Sequence, residues 1–197
     1  MHQPVPLEHA SRLLNHGPTV LVTSAHGGRR NVMAAAWSMP VEFTPPRIAV
    51  VIDKHTFTSE LVHASGVFAL GLPGPALADL TYTVGSVSGR DLAADGTDKF
   101  ARFGIETMAG PVLGLPLVAG CSAWLECRLI PEPHAQQAYD TCFAEVVSAQ
   151  ADPRVFAGGR WSLRDDNADL HTLHHLGGGA FAVASRVLQG RVLAGRS

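Results

Sequence analysis

Six short apolar runs constrain this chain more than any other feature in it. They cover residues 19–25, 31–38, 47–52, 67–72, 123–130 and 142–149, and each has the length of a strand rather than of a buried helix. Turn formers separate them. Gly27 and Gly28 lie between the first two, Pro45 and Pro46 end the second, and Gly110, Pro111, Gly114, Pro116 and Gly120 precede the fifth. In 123–130, Ala123, Leu125, Cys127 and Leu129 alternate with Trp124, Glu126 and Arg128, which predicts a half-exposed sheet. Helical spacing is confined to small pieces. Leu7, Ala10 and Leu14 predict a short N-terminal helix stopped by Gly17 and Pro18. Residues 58–64 read as a helix capped by Thr58, with Glu60 in the first turn, and 76–84 and 99–103 add further helical turns. The expected fold is mainly β, an antiparallel barrel with peripheral helices.

Composition narrows the function classes. A chain of 197 residues with no linker-like tract reads as one domain over 1–197, and an apolar fraction of 46% supports a real core. Fifteen basic against seventeen acidic residues leave a net charge of -2, which argues against nucleic acid or an anionic membrane as partner. Residues 107–125 carry no charge and have the length of a bilayer span, but their prolines and glycines would break such a helix. They read instead as a loop feeding a buried strand. Residues 1–8 lack the pattern of a secretory signal, and Cys121, Cys127 and Cys142 form no metal-type pair. Reduced, buried thiols in the cytoplasm are the simplest reading, with a nucleophilic role the weaker alternative.

Four blocks can carry chemistry. Lys54, Thr56 and Thr58 lie where a strand hands over to a helix, so they either hold an anion such as a phosphate monoester or simply cap and solvate the helix start. Gly85, Ser86, Ser88 and Gly89 form either an anion-cradling loop, with Asp91 steadying it or meeting a hydroxyl, or an ordinary flexible loop. Asn31 to Trp37 present Met33 and the small residues Ala34, Ala35 and Ala36, which admit a flat ring against the backbone or pack as a buried strand with Trp37 as filler. His171, His174 and His175 precede a run of three glycines, and the nearby acidic residues do not complete a zinc-type ligand set. No nucleophile elbow, phosphate-binding P-loop, dinucleotide fingerprint or paired-carboxylate signature is present.

Taken in order, the blocks 23–37, 54–58, 85–91 and 174–181 resemble the flavin reductase-like family, whose fold is the six-stranded Greek-key FMN-binding split β-barrel. The resemblance spans most of the chain. It implies that Lys54, Thr56 and Thr58 contact the FMN tail, that Asn31 to Trp37 run along the isoalloxazine ring, and that Thr23, with Ser24 the weaker neighbour, lies near the ribityl phosphate. It implies that the 174–181 block lines the reactive face, with His175 placed to touch nicotinamide or tune the reduced flavin. Two departures stand out. Ala34 replaces the family's usual threonine, and residues 92–97 intervene between Asp91 and the Asp98-Lys99-Phe100 run.

The implied activity is that of an NAD(P)H:flavin oxidoreductase, with NADH or NADPH as hydride donor and FMN, or FAD, as acceptor. The family also implies a homodimer, and reduced flavin that serves a partner monooxygenase or another acceptor. The alternative is an FMN-binding electron carrier of flavoredoxin type without efficient NAD(P)H oxidation. A third reading, a split barrel that has lost its flavin, draws on Ala34 and the expanded loop.

Overall fold

The computed structural model describes residues 2–193; residue 1 and residues 194–197 of the expected 1–197 domain lie outside them. Seven strands form its centre: β1 (Val20–His26), β2 (Arg29–Ala35), β3 (Ser38–Phe43), β4 (Pro46–Val51), β5 (Val67–Leu72), β6 (Ala123–Ile130) and β7 (Thr141–Ala151). Their order across the sheet is β2-β1-β5-β6-β7-β4-β3, antiparallel throughout, with the short strand Gln3–Pro4 added beside β7. The two ends of that order, β2 and β3, are separated in the chain only by Ala36 and Trp37. Trp37 carries the pairing across the break, its carbonyl accepting from the Val51 N–H at 3.0 Å. Counted as one bent strand, β2 and β3 close a ring of six, as expected, although the sheet itself contains eight strands.

Local chemistry explains the strand boundaries. β1 and β2 pair up to His26 opposite Arg29, leaving Gly27 and Gly28 as a two-residue turn with φ of 56° and 75°. Both angles lie in the left-handed region that the right-handed twist of a hairpin demands and that glycine enters freely. Helix α1 (Phe57–Ser65) starts at Thr56, whose hydroxyl accepts from the Ser59 N–H, and stops at left-handed Gly66. The cap is therefore Thr56 and not Thr58; Thr58 is the second residue of the helix, fully buried in its first turn.

Burial corrects two further expectations. Trp124 and Glu126 do not face solvent, being only 1% exposed each. Residues 107–118 fold back over that face of β6 as a small hairpin, Thr107–Ala109 against Pro116–Val118. Glu126 accepts from the N–H groups of Val112 and Leu113, and the Trp124 indole donates to the Val118 carbonyl. The barrel interior thus has a second apolar layer outside it, built from Leu21, Val32, Ala69, Phe100, Leu117 and Trp124. The segment expected as a loop across 85–91 is instead the junction of two helices, α2 (Ala78–Ser86) and α3 (Gly89–Ala94), with Ser88 capping the second. Helix α4 (Lys99–Arg102) follows.

The three cysteines are free and buried, and burial pushes each thiol up, Cys142 to about 11. No helix among the described residues is long and apolar enough to cross a membrane.

Candidate functional site

A cleft runs along β2, at the edge of the sheet, walled by α2, the start of α1 and the junction of α2 with α3. It consists of two cavities of about 210 and 340 Å³ that share Gly85 and Ser86 in their walls. That size range suits an organic cofactor or substrate. The smaller cavity is apolar in character, with Ala34 and Ala36 on one side, Tyr82 and Phe181 on the other, and His175 at its edge. The larger one is polar, with Asn31, Thr56, Thr58, Ser88, Gly89 and Lys99 in its walls.

Close approach sets the width of the polar cavity. The Asn31 amide donates to the Thr58 hydroxyl at 2.9 Å, which ties β2 to the first turn of α1. A side chain on Gly89 would come within 2.3 Å of Asn31 Oδ1, so only glycine permits α3 to begin there. Asn31 Oδ1 is itself buried with no partner in the protein, as is Thr81 Oγ1 in the wall of the apolar cavity. Buried polar atoms without partners are rare in folded proteins and mark places where a ligand or water completes the bonding.

Lys99 supplies the charge. It is 2% exposed, and its ammonium donates to the carbonyls of Val32 at 2.9 Å and Val84 at 2.6 Å. No carboxylate lies within ion-pair distance of it among the described residues. Burial holds its pKa down to about 8, so it is still mostly protonated at neutral pH. A buried cation that meets only carbonyl dipoles is poised to take an anion. The start of α1 lies in the same wall, and the first-turn N–H groups of Phe57 and Thr58 have no acceptor within the helix.

The structure brings together Asn31, Met33, Thr56, Thr58, Gly85, Ser86, Ser88 and Gly89 around the polar cavity, and Ala34, Ala36 and His175 around the apolar one. It leaves out five other candidates. Lys54 turns away, its ammonium donating to the Gln137 carbonyl at 2.9 Å and pairing with Asp140 at 3.5 Å. Ala35 packs into the barrel core and Thr23 is buried on β1. Asp91 stands exposed in the first turn of α3. Trp37, expected as core filler, is 74% exposed. Lys99, Thr81 and Tyr82 are cleft residues that sequence reasoning did not assign, while Phe181 ends the 174–181 block it placed at the reactive face. For Lys99 a signal existed in the Asp98-Lys99-Phe100 run, masked by the intervening segment.

His175 sits on a hairpin, Leu173–Gly177 paired with Ala180–Val183, and its N–H donates to the Thr19 hydroxyl at 2.9 Å. A chain of hydrogen bonds links the base of this hairpin to His16, and one proton order satisfies it. His174 Nδ1 faces the Gly17 carbonyl and must donate to it, so His174 Nε2 accepts from the Thr172 hydroxyl. That hydroxyl then accepts from His16 Nε2, leaving His16 Nδ1 as a bare, buried acceptor with no partner. The His16 ring is neutral in this arrangement. Burial, and secondarily the His174 ring, pull the His16 pKa down to about 4.

The unfolded chain therefore binds a proton that the fold refuses between about pH 4 and the ordinary histidine value, and stability must fall as pH drops through that window. Urea unfolding is expected to show a loss of roughly 2–3 kcal/mol from this group between neutral pH and the lower end of the window. His16→Leu should remove that part of the slope.

The sequence matches the family model described as "Flavin reductase like domain" over residues 12–165. An uncharacterized protein of Escherichia coli, YddH, is 57% identical over 98% of this chain and 97% of its own length. The crystal structure of an FMN-binding domain of a flavin reductases-like enzyme from Shewanella baltica superposes with a TM-score of 0.90, at 44% identity over 97% of this chain and 98% of that one. The FMN reductase (NADH) RutF of Ancylobacter novellus is 26% identical over 66% of this chain and 65% of its own length.

Proposed function

The chain belongs to the flavin reductase-like family, and from that membership we propose that it binds FMN in the cleft along β2 and catalyses its reduction by NADH or NADPH. The observation that carries this reading is the division of one cleft into a flat apolar half and a polar half with a buried cation. A tricyclic ring with a phosphorylated tail needs both halves, in contact. Ala34 and Ala36 let a ring lie close to the strand, and Gly85 packs so tightly over Ala34 that an added Cβ would sit 3.3 Å from the alanine methyl. The orphaned Thr81 hydroxyl and Asn31 carbonyl oxygen are suited to the polar groups of a ring edge or ribityl chain.

At the tail end, Lys99, the Ser88 hydroxyl and the first N–H groups of α1 are the anion holders, and Lys99 takes the part that the sequence assigned to Lys54. Thr56 contributes through the backbone it caps, because its hydroxyl already accepts from Ser59 and donates to the Asp53 carbonyl. Bound FMN would supply a hydride acceptor at its N5. The protein's part is to align two rings and keep water away. His175 and Phe181, at the edge of the apolar cavity, are placed to touch a nicotinamide laid over it. No side chain needs to gain or lose a proton in that transfer, which fits a cleft without a paired acid and base.

The same reading gives the chain a second copy as its partner. Trp37, just before β3, and Met39, Val41 and Phe43 within it are all exposed, and Trp37 adjoins Ala36 at the end of the cleft. We assign the electrons to a small acceptor or a partner monooxygenase, and the three buried unpaired thiols support a reducing compartment such as the cytoplasm.

Stopped-flow mixing of the FMN-loaded protein with NADH or NADPH tests the activity. Rapid bleaching of the flavin absorbance is the expected result. Bleaching only by a reduced protein donor would make the chain an electron carrier, and a colourless protein that ignores added FMN would remove the flavin reading altogether.

A further inference from the structure

Residues 184–193 belong to no helix or strand. The Ala184 N–H still donates to the Thr172 carbonyl at 3.2 Å, but from Ser185 to Leu193 every residue is exposed. This stretch is not a polar one. Val187, Leu188, Val192 and Leu193 are between 54% and 99% exposed, so the chain's own described residues do not cover them. The sequence here is a short repeat: Arg186-Val187-Leu188-Gln189-Gly190 recurs as Arg191-Val192-Leu193-Ala194-Gly195. No acidic residue follows Asp169. The segment thus presents, twice over, a guanidinium beside an apolar pair. Such a pattern matches a surface that is acidic and partly apolar.

A groove of about 590 Å³ across β3, β4, β6 and β7 is a surface of that kind. Val41, Ile130 and Phe143 give it apolar walls, and Glu42, Glu132 and Glu145 give it three carboxylates. Two guanidiniums answer them. Arg47 stands opposite Glu42 and Glu145 in the strand register, and Arg128 stands opposite Glu145 from β6. None of these five groups is in an ion pair among the described residues, and Lys54 and Asp140 beyond the groove hold each other. The same sign holds on the larger scale. Residues 1–183 carry twelve basic against seventeen acidic side chains, a net charge of -5, while Arg186 and Arg191 meet no acid in their own segment.

We propose that residues 185–193 form an arm that lies in this groove on a second copy of the chain, so that each protomer of a pair clasps the other. The inference rests on the pairing through residues 37–43 given above and goes beyond it. Val41 belongs both to that exposed stretch and to the groove, so a copy seated on β3 comes up beside the groove. Reach is sufficient. Ten extended residues span up to about 33 Å, twice the radius of gyration of about 16 Å expected for a domain of this length. In the groove the Val–Leu pairs leave water against Val41, Ile130 and Phe143, and the arginines meet carboxylates that have no direct partner.

Sedimentation velocity over a concentration series tests the arm, with a thermal melt run beside each variant. A chain ended after Ser185 should dimerise at least about tenfold more weakly than the full chain. Arg186→Glu/Arg191→Glu should weaken the pair by about as much, because its glutamates meet the groove's carboxylates. Glu42→Lys/Glu132→Lys should weaken it too, and all four substitutions in one chain should restore most of the loss, a rescue that damage to local packing does not give. If the groove variant fails to fold, Glu132→Lys alone against Arg191→Glu makes the same comparison. A native chain that sediments as a monomer overturns the arm and the pairing it rests on together. A dimer that is equally tight without the arm overturns the arm and leaves the β3 contact standing, even if the melt falls. Weakening in the arm variant without rescue by the lysines overturns the groove as its seat.

Discussion

Lys99→Met is expected to weaken FMN binding by roughly 10- to 100-fold, while Lys54→Ala leaves it nearly unchanged. The magnitude follows from the loss of a charge-assisted bond in a desolvated site, worth about 1.5–3 kcal/mol. The contrast follows from where the two lysines lie, one in the wall of the polar cavity with its ammonium on the Val32 and Val84 carbonyls, the other turned to Gln137 and Asp140. Methionine keeps the length of the buried stem, and a thermal melt run beside the titration separates lost binding from lost fold. A pH series adds a signature that a packing defect would not produce. Burial holds Lys99 near a pKa of about 8, so the free protein loses its cation as pH rises through that value and its affinity for an anionic tail must fall. That decline should be missing in Lys99→Met. A Lys54 variant that loses binding while a Lys99 variant keeps it would reverse the assignment.

Charge placed on the exposed face of β3 should have the largest effect on assembly. Met39→Glu/Phe43→Glu is expected to convert a dimer to a monomer in sedimentation velocity at micromolar concentration. In the native chain Trp37 and Phe43 are 74% and 67% exposed, with Met39 and Val41 between them in the sequence also exposed. Four large apolar side chains exposed within seven residues of an edge strand are unusual on a free surface, and burying them against a second copy removes that apolar area from water. Two glutamates per subunit would meet their symmetry mates across such a contact and desolvate there without partners. Because Ala36 adjoins this stretch and lines the apolar cavity, the monomer should also hold FMN less firmly. A native chain that sediments as a monomer at the same concentration would remove the proposed interface.

Much of the fold is legible in the sequence because its strands are local facts. β5 and β6 were readable at their observed limits, since each apolar run ends at a turn former or a change of pattern. The count of six came from the resemblance to the family, and it matches the structure when β2 and β3 are taken as one bent strand. What failed was whatever depends on distant chain. Alternation in β6 predicted an exposed face for Trp124 and Glu126, yet the hairpin of residues 107–118 covers it, and Glu126 accepts from backbone N–H groups 13 and 14 residues upstream. Thr58 resembles a cap as much as Thr56 does; only the pairing with Asn31 on β2 shows that it lies inside the helix.

The site divides along the same line. The alanine strand, the threonine corner, the Gly85–Gly89 junction and His175 were all readable from short motifs and do meet around one cleft. Which lysine lines that cleft was not readable. Lys54 is drawn off by a carbonyl 83 residues away, and Lys99 reaches back 67 residues to Val32. Spacing along the chain carries no record of either contact.

A crystal structure of the protein soaked with FMN is the most direct test of the flavin site. The ring should lie against Ala34 and Ala36 with its edge at Thr81, and the phosphate should sit between Lys99 and the first turn of α1. Flavin density anywhere else, or a cleft that stays free of flavin at saturating FMN, would contradict it.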